Sequence, residues 1–378
     1  MISLIKNLHI QNFKSVRDLS LECDRINIFI GKPNAGKSNI LEAISLLGAG
    51  YSEGKKFMEG MVRYTALYQL FNNFDTRNDV LIEIDNFCIA LKKDFYGESF
   101  KFSLEPLHIR EERRENQEND FLDTSHKEES HHPWRDHTEE YVSNYRDGDY
   151  SHDSTADLIE QTRYISLLQD GKVTSQNTYG HNRSPVKKYE FKLQNGGKGD
   201  YTFLTPPHGG NFYNIIRSHL ELREEIQQFL KPNGLELLLD EEAKRVSILQ
   251  REAASVLSFP LHLVPDTFQR YIFHLAAIMS NRDSVLLFEE PESHSYPPYI
   301  HQLAQYILDD EGGNQYFITT HNPYLLTPIL QEGKDVALFV TWFENYQTHA
   351  RRLSEEEIGD ILNYGMDVFL NLNHFIPE

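Results

Sequence analysis

The stretch Arg25-Ile-Asn-Ile-Phe-Ile-Gly31-Lys-Pro-Asn-Ala-Gly36-Lys37-Ser38 decides the fold. Its first half alternates apolar residues in the manner of a buried strand. Its second half is a glycine loop, and Ile40, Leu41, Ile44, Leu46 and Leu47 then recur at helical spacing. Gly31, Gly36, Lys37 and Ser38 fill every fixed place of the eight-position phosphate loop, in the strand–loop–helix setting that gives the motif its meaning. The glycines let backbone N–H groups turn inward around a phosphate. Gly31, Asn34, Ala35, Gly36, Lys37, Ser38 and Asn39 are therefore the expected nucleotide-binding residues. Lys37 is expected on the β- and γ-phosphates of ATP, and the Ser38 hydroxyl on Mg²⁺.

Working outward, residues 3–10 and 17–30 read as strands, as do Val80-Leu-Ile-Glu-Ile and Cys88-Ile-Ala-Leu. Asn211 to Leu230 reads as one helix stopped by Pro232-Asn-Gly234, followed by a hairpin over 235–240 and 245–249. A helix over 267–279, a strand from Ser284, a helix over 297–308 and strands over 315–319 and 335–341 complete an alternating α/β pattern. The closing 354–372 reads as mostly helical, with Ser354 and Glu357 forming a capping box.

Two further stretches carry chemistry. Ser284-Val-Leu-Leu-Phe-Glu289-Glu290-Pro291-Glu292 is an apolar strand ending in paired carboxylates. Such a pair is costly without a cation. The first acid can join a Mg²⁺ shell, and the second can orient the attacking water. Tyr316-Phe-Ile-Thr-Thr-His321-Asn-Pro delivers one histidine at a strand's C-terminal end, where α/β proteins bind ligands.

The phosphate loop, the late Glu-Glu-Pro-Glu and the Thr-Thr-His-Asn-Pro together resemble the ABC ATPase group that contains RecF, SMC and OLD proteins. Asn12-Phe-Lys-Ser15 is similar to the opening of those proteins, and the likeness is greatest to the ATPases of bacterial anti-phage systems. The resemblance implies an α/β ABC-type ATPase head whose sheet is built from N- and C-terminal segments around a middle insertion. It implies that Glu290 is the catalytic carboxylate, that Glu289 and Ser38 hold Mg²⁺, and that His321 senses the γ-phosphate. It further implies head-to-head dimerisation on ATP, each site being completed by a second copy. Two departures stand out. Glu289 replaces the usual Asp, and the signature loop, read at Val264-Pro-Asp266-Thr267, lacks glycine, leaving Asp266, Thr267 or the helix start to substitute. Gln69 is the candidate switch glutamine.

Bulk properties frame these expectations. The 378 residues carry a formal net charge of -20, which argues against nucleic acid as the main ligand. Cys23 and Cys88 are the only cysteines, which fits a cytoplasmic protein without a disulfide framework. No run of about 18 apolar residues suggests a membrane span. Residues 1–105 read as the N-terminal part of the head, 106–157 as a polar insertion, 158–254 as a middle α+β segment and 255–378 as the C-terminal part. The insertion is too poor in aliphatics to offset its ordering entropy. Its histidines (126, 131, 132, 137, 152) are too irregularly spaced to indicate a metal site. Arg183, Lys187, Lys188 and Lys198 read as a solvated basic loop rather than a nucleic-acid contact. The chain ends soon after Thr341, so no nuclease domain is expected to follow. A regulatory ATPase acting on a separate effector, as in the PARIS and Septu defence systems, is the reading that results. A RecF-like DNA-repair ATPase and a nucleotide-sensing scaffold with little turnover remain as alternatives.

Overall fold

The computed structural model describes residues 4–51, 56–85, 87–94, 97–107, 163–176, 184–192, 201–253, 255–363 and 368–377. The histidine-bearing insertion, Arg183 and Lys198 lie outside them.

β1 (Asn7–Phe13), β2 (Val16–Glu22) and β3 (Ile26–Gly31) open the chain, and α1 (Lys37–Ser45) follows the glycine loop. β4 (Val80–Ile84), β5 (Phe87–Lys93), β6 (Ser99–Pro106), β7 (Arg163–Leu168) and β8 (Val173–Gln176) join β1 and β2. They form a seven-stranded antiparallel sheet in the order β2-β1-β4-β5-β6-β7-β8. β9 (Val186–Tyr189) precedes α2 (Phe212–Ser218) and α3 (Leu220–Leu230). β10 (Leu235–Asp240), β11 (Arg245–Glu252) and β12 (Ser255–Pro260) form a separate antiparallel meander, extending the expected hairpin by one strand. Then come α4 (Asp266–Ser280), β13 (Val285–Glu289), α5 (Pro297–Leu308), β14 (Gln315–Thr319), α6 (Pro323–Glu332), β15 (Val336–Glu344), β16 (Gln347–Arg352) and α7 (Glu355–Asn363).

The central sheet has the order β16-β15-β3-β14-β13-β9, parallel except for β16. The expected α/β sheet built from both ends of the chain is present: β3 from the N-terminal part lies between β14 and β15 from the C-terminal part. Both faces of this sheet are covered, which explains why its strands read as continuous apolar runs. Ile26, Ile28, Ile30, Leu286 and Phe288 pack into one core with the helices after β9. Phe29, Leu287, Phe317 and Phe339 pack into the other, with α1 and the antiparallel sheet. Phe29 stacks on Phe339 at 4.9 Å between ring centroids, fixing β3 directly beneath the glycine loop.

Two expectations are corrected. The helix expected over 211–230 is broken at His219, whose backbone is extended. The Ser218 hydroxyl donates to the Ile215 carbonyl, and His219 Nδ1 lies 3.0 Å from that same carbonyl. The His219 N–H still donates to that carbonyl at 3.1 Å, so the first helix closes on it and α3 starts afresh with His219 as its cap. Lys187 and Lys188 are not in a solvated loop: both are buried in β9, paired in parallel with β13. Lys187 Nζ donates to Asn281 Oδ1 at 2.6 Å and Ser284 Oγ at 2.9 Å and lies 3.7 Å from the Phe203 ring centroid. Burial brings its pKa down to about 8. The capping box is present: Glu357 N–H donates to Ser354 Oγ at 3.2 Å, and Ser354 N–H to Glu357 Oε2 at 2.8 Å.

Candidate nucleotide site

The C-terminal ends of β3, β13 and β14 meet at one cavity of about 580 Å³. Asn34, Ala35, Gly36, Lys37, Ser38 and Asn39 line it, together with Arg63, Glu290 and His321. The phosphate loop is thus brought to two segments that lie more than 200 residues further along the chain. A second hollow of about 550 Å³, between α3 and β10, gathers no comparable set of groups.

The loop has the curvature that anion binding requires. Asn34 (φ 63) and Gly36 (φ 96) are left-handed, so successive N–H groups face inward. Gly31 has no room for a side chain: a Cβ there would meet the Thr341 carbonyl oxygen at 2.2 Å. At Gly36 a Cβ would lie 1.9 Å from Thr348 Oγ1, in a conformation L side chains rarely adopt. Gly36→Ala is accordingly expected to cost about 1–3 kcal/mol of stability and to weaken ATP binding. A thermal melt read beside a binding isotherm checks both. Thr348 Oγ1 and Ser15 Oγ lie 2.6 Å apart, and Asn39 Nδ2 donates to Ser15 Oγ at 2.6 Å. The Asn12–Ser15 turn therefore braces α1.

Lys37 is buried, and its ammonium donates to the Gly31 and Lys32 carbonyls at 3.0 and 3.1 Å. Burial lowers its pKa against the opposing pull of Glu290 and Glu289. At the end of β13, Glu289 and Glu290 diverge. Glu290 adopts φ 44, a left-handed bend of the sort that functional sites retain, and it lines the cavity. Its Oε1 lies 3.6 Å from His321 Nε2, and its Oε2 accepts from Ser293 Oγ at 3.3 Å. Burial and the Lys37 charge push the His321 pKa down despite Glu290, which favours the uncharged ring.

Glu289 has other partners. Its Oε1 lies 3.3 Å from Arg63 Nη2 and its Oε2 3.2 Å from Lys188 Nζ, while Ser38 hydrogen-bonds to the same carboxyl. Burial alone would raise its pKa, but Lys188, Ser38 and Arg63 outweigh burial and hold it below the usual value. Arg63 also donates through Nε to Glu42 Oε1 at 2.6 Å, and the fully buried Glu42, on α1, pairs with Lys14 as well. Arg63, Lys188, Glu42 and Lys14 were not expected at the site. They come from a loop, an edge strand, a helix interior and a turn, and apart from Lys14, which lies in the Asn12–Ser15 run, none carries a motif in the sequence.

The Thr-Thr-His-Asn-Pro run is held from behind by Glu292. Its Oε1 accepts from Thr320 Oγ1 at 2.5 Å and from the His321 N–H at 3.0 Å. Asn322 then caps α6 by accepting from the Tyr324 N–H at 2.8 Å.

The remaining candidates lie elsewhere. Asp266 and Thr267 open α4, away from the residues that line the cavity. Asp266 pairs with Arg270 at 2.6 Å, and Thr267 Oγ1 accepts from the Tyr296 N–H at 3.1 Å. The Gln69 side-chain oxygen accepts from the Thr65 and Ala66 N–H groups, at 2.8 and 3.2 Å, and caps its own turn. It is not among the lining residues.

Ser38 and Glu289 place two hard oxygen donors side by side at the start of α1. That set fits Mg²⁺, which takes few protein oxygens and completes its octahedron with water and phosphate. Among the described residues, no group of three or more His, Cys, Asp or Glu is placed to hold a metal ion.

The sequence from 26 to 327 matches the family model described as "AAA domain, putative AbiEii toxin, Type IV TA system". The chain belongs to this family. It is therefore a nucleotide-binding domain of the ATPase type. A short segment is also similar to uncharacterized protein MJECL10 of Methanocaldococcus jannaschii, 52% identical over 44 residues. That match spans 11% of this chain and 20% of the relative's length. Among solved structures, an SMC head bound to the C-winged helix domain of ScpA is 14% identical, with 94% of this chain and 99% of that one covered at a TM-score of 0.47. The SMC head domain from Thermotoga maritima is 11% identical, with 93% and 99% covered at 0.41. No helix among the described residues is long and apolar enough to cross a membrane.

Proposed function

We propose that this chain is an ATP-hydrolysing regulatory ATPase that closes head to head with a second copy on ATP and controls a separate effector, a nuclease or toxin, in anti-phage defence. The observation that carries the hydrolytic part is the meeting of Lys37, Ser38, Glu290 and His321 on one cavity. In this reading the inward N–H groups of the loop and Lys37 bind the β- and γ-phosphates. Ser38 and Glu289 hold the Mg²⁺ shell. When bound, Mg²⁺ neutralises charge on the phosphate oxygens. Glu290, turned out of β13 into the cavity, orients and deprotonates the attacking water. Neutral His321, held through its backbone by Glu292, meets the γ-phosphate and reports its presence. Asp266 and Thr267, at a helix start remote from this chain's own cavity, face the site of a second copy.

The dimer and effector follow from the resemblance to ABC-type heads and from the acidity of the chain, which repels nucleic acid at long range. A second reading, a nucleotide sensor with slow turnover, is favoured by one observation: both oxygens of Glu289 are already paired with cations. Light scattering of the purified protein, with and without ATP and Mg²⁺, tests closure. The expected result is a mass increase to a dimer or larger assembly with ATP, and one mass in every nucleotide state defeats the head-to-head reading. The isolated protein is expected to show no nuclease activity with Mg²⁺ or Mn²⁺. Co-expression with the product of the neighbouring reading frame is expected to yield a complex whose occupancy follows the ATP state. Metal-dependent DNA cleavage by this chain alone would replace that reading with a self-contained nuclease.

A further inference from the structure

The cations around Glu289 are more than a site needs for binding phosphate. Among the described residues, four cations (Lys14, Lys37, Arg63, Lys188) and three carboxylates (Glu42, Glu289, Glu290) meet at or just behind the cavity. Glu289 takes two of the cations, one on each oxygen. The two differ in exposure. The Lys188 side chain is 2% exposed and its Nζ also donates to the Met61 carbonyl at 3.0 Å, so it is a fixed part of the interior. The Arg63 side chain is 66% exposed and lines the cavity, reaching Glu289 from the solvent side while its Nε is tied to the buried Glu42.

We propose that Lys188 and Arg63 are resident counter-cations of Glu289, which keep a free divalent ion out of the empty site and admit it only together with nucleotide phosphates. This rests on the placement of Glu289 in the metal shell. The physical reason is direct. A divalent ion approaching the Glu289–Ser38 pair alone meets a fixed ammonium and a guanidinium within a few ångströms, and the protein offers it only two oxygens. The same ion arriving with a triphosphate brings net negative charge, which offsets both repulsions and supplies the missing oxygen ligands. The longer Glu, in place of the usual Asp, spans from the end of β13 to Lys188 on the neighbouring strand and to Arg63 across the cavity. Lys188 and Arg63 are thus positioning residues that set when the metal shell forms.

The sign of the effect separates this from a structural role. In nucleotide-free protein, Mn²⁺ binding followed by electron paramagnetic resonance should be weak for the wild type. It should tighten by roughly tenfold or more in Lys188→Met, because one full charge near the metal position is removed. Arg63→Gln should tighten it by a smaller factor, since that charge is better solvated. The double variant Lys188→Met/Glu289→Gln should lose the gain, having lost the ligand. A residue that only supports the fold would lower the melting temperature without tightening Mn²⁺. If Lys188→Met does not fold, the exposed Arg63→Gln decides the matter. Unchanged or weaker Mn²⁺ binding in the folded variants, with ATP·Mg²⁺ still bound by the wild type, overturns the counter-cation role and leaves the nucleotide site standing. Failure of the wild type to bind ATP·Mg²⁺ overturns both.

Discussion

Glu290→Gln is expected to bind ATP as the wild type does and to turn it over at least about a hundredfold more slowly. The amide keeps the size and the hydrogen-bonding reach of the carboxylate but cannot take a proton from water. The position gives the prediction its force. Glu290 is turned out of β13 by a left-handed bend, lines the cavity and lies 3.6 Å from His321. Its neighbour Glu289 is instead held by Lys188 and Arg63. Because binding persists while the chemical step is lost, the variant should also accumulate in the ATP-bound assembly. Steady-state phosphate release, read beside an ATP binding isotherm, checks it. Wild-type turnover in Glu290→Gln would move the base elsewhere, with Glu289 next in line.

Lys37→Ala is expected to abolish measurable ATP binding. The ammonium is satisfied by the Gly31 and Lys32 carbonyls, which hold it at the mouth of the loop. Entry of ATP exchanges those neutral acceptors for phosphate oxygens. Two charge-assisted hydrogen bonds at about 1.5–3 kcal/mol each correspond to a loss of roughly two orders of magnitude or more. Isothermal titration of both proteins with ATP·Mg²⁺ measures it. Equal affinities would remove the basis of the nucleotide assignment. The Gly31 carbonyl loses its Lys37 donor, while Lys32 keeps the Ala35 N–H, so folding of the variant is to be confirmed by circular dichroism first.

Legibility in the sequence followed how local the cause was. α5 and β14 begin and end at the residues that apolar periodicity indicates, because both are bounded by sharp changes of pattern. The capping box at Ser354 and Glu357 was legible because its hydrogen bonds span three residues. The break at His219 was not, since the apolar stripe continues through it and only the extended backbone of that one residue parts the two helices. β9 was hidden for a different reason. Two lysines in succession look solvated, yet each finds a buried partner on another element.

The sequence by itself singled out the candidate residues of the site. The phosphate loop needs glycines at fixed places, and the paired acids and the histidine each stand at the end of an apolar strand. Those requirements are written into contiguous residues, so motif and spacing sufficed to name Lys37, Ser38, Glu289, Glu290 and His321. Only the tertiary structure decided how the two acids divide. They are adjacent in sequence, and the bend at Glu290 sets its carboxyl beside His321, while Glu289 is held among Ser38, Arg63 and Lys188 at the cavity's edge. Only it revealed Arg63, Lys188, Glu42 and Lys14, because an ion pair is set by distance in space. Parallel strands and a crossing loop bring together charges that lie more than a hundred residues apart along the chain.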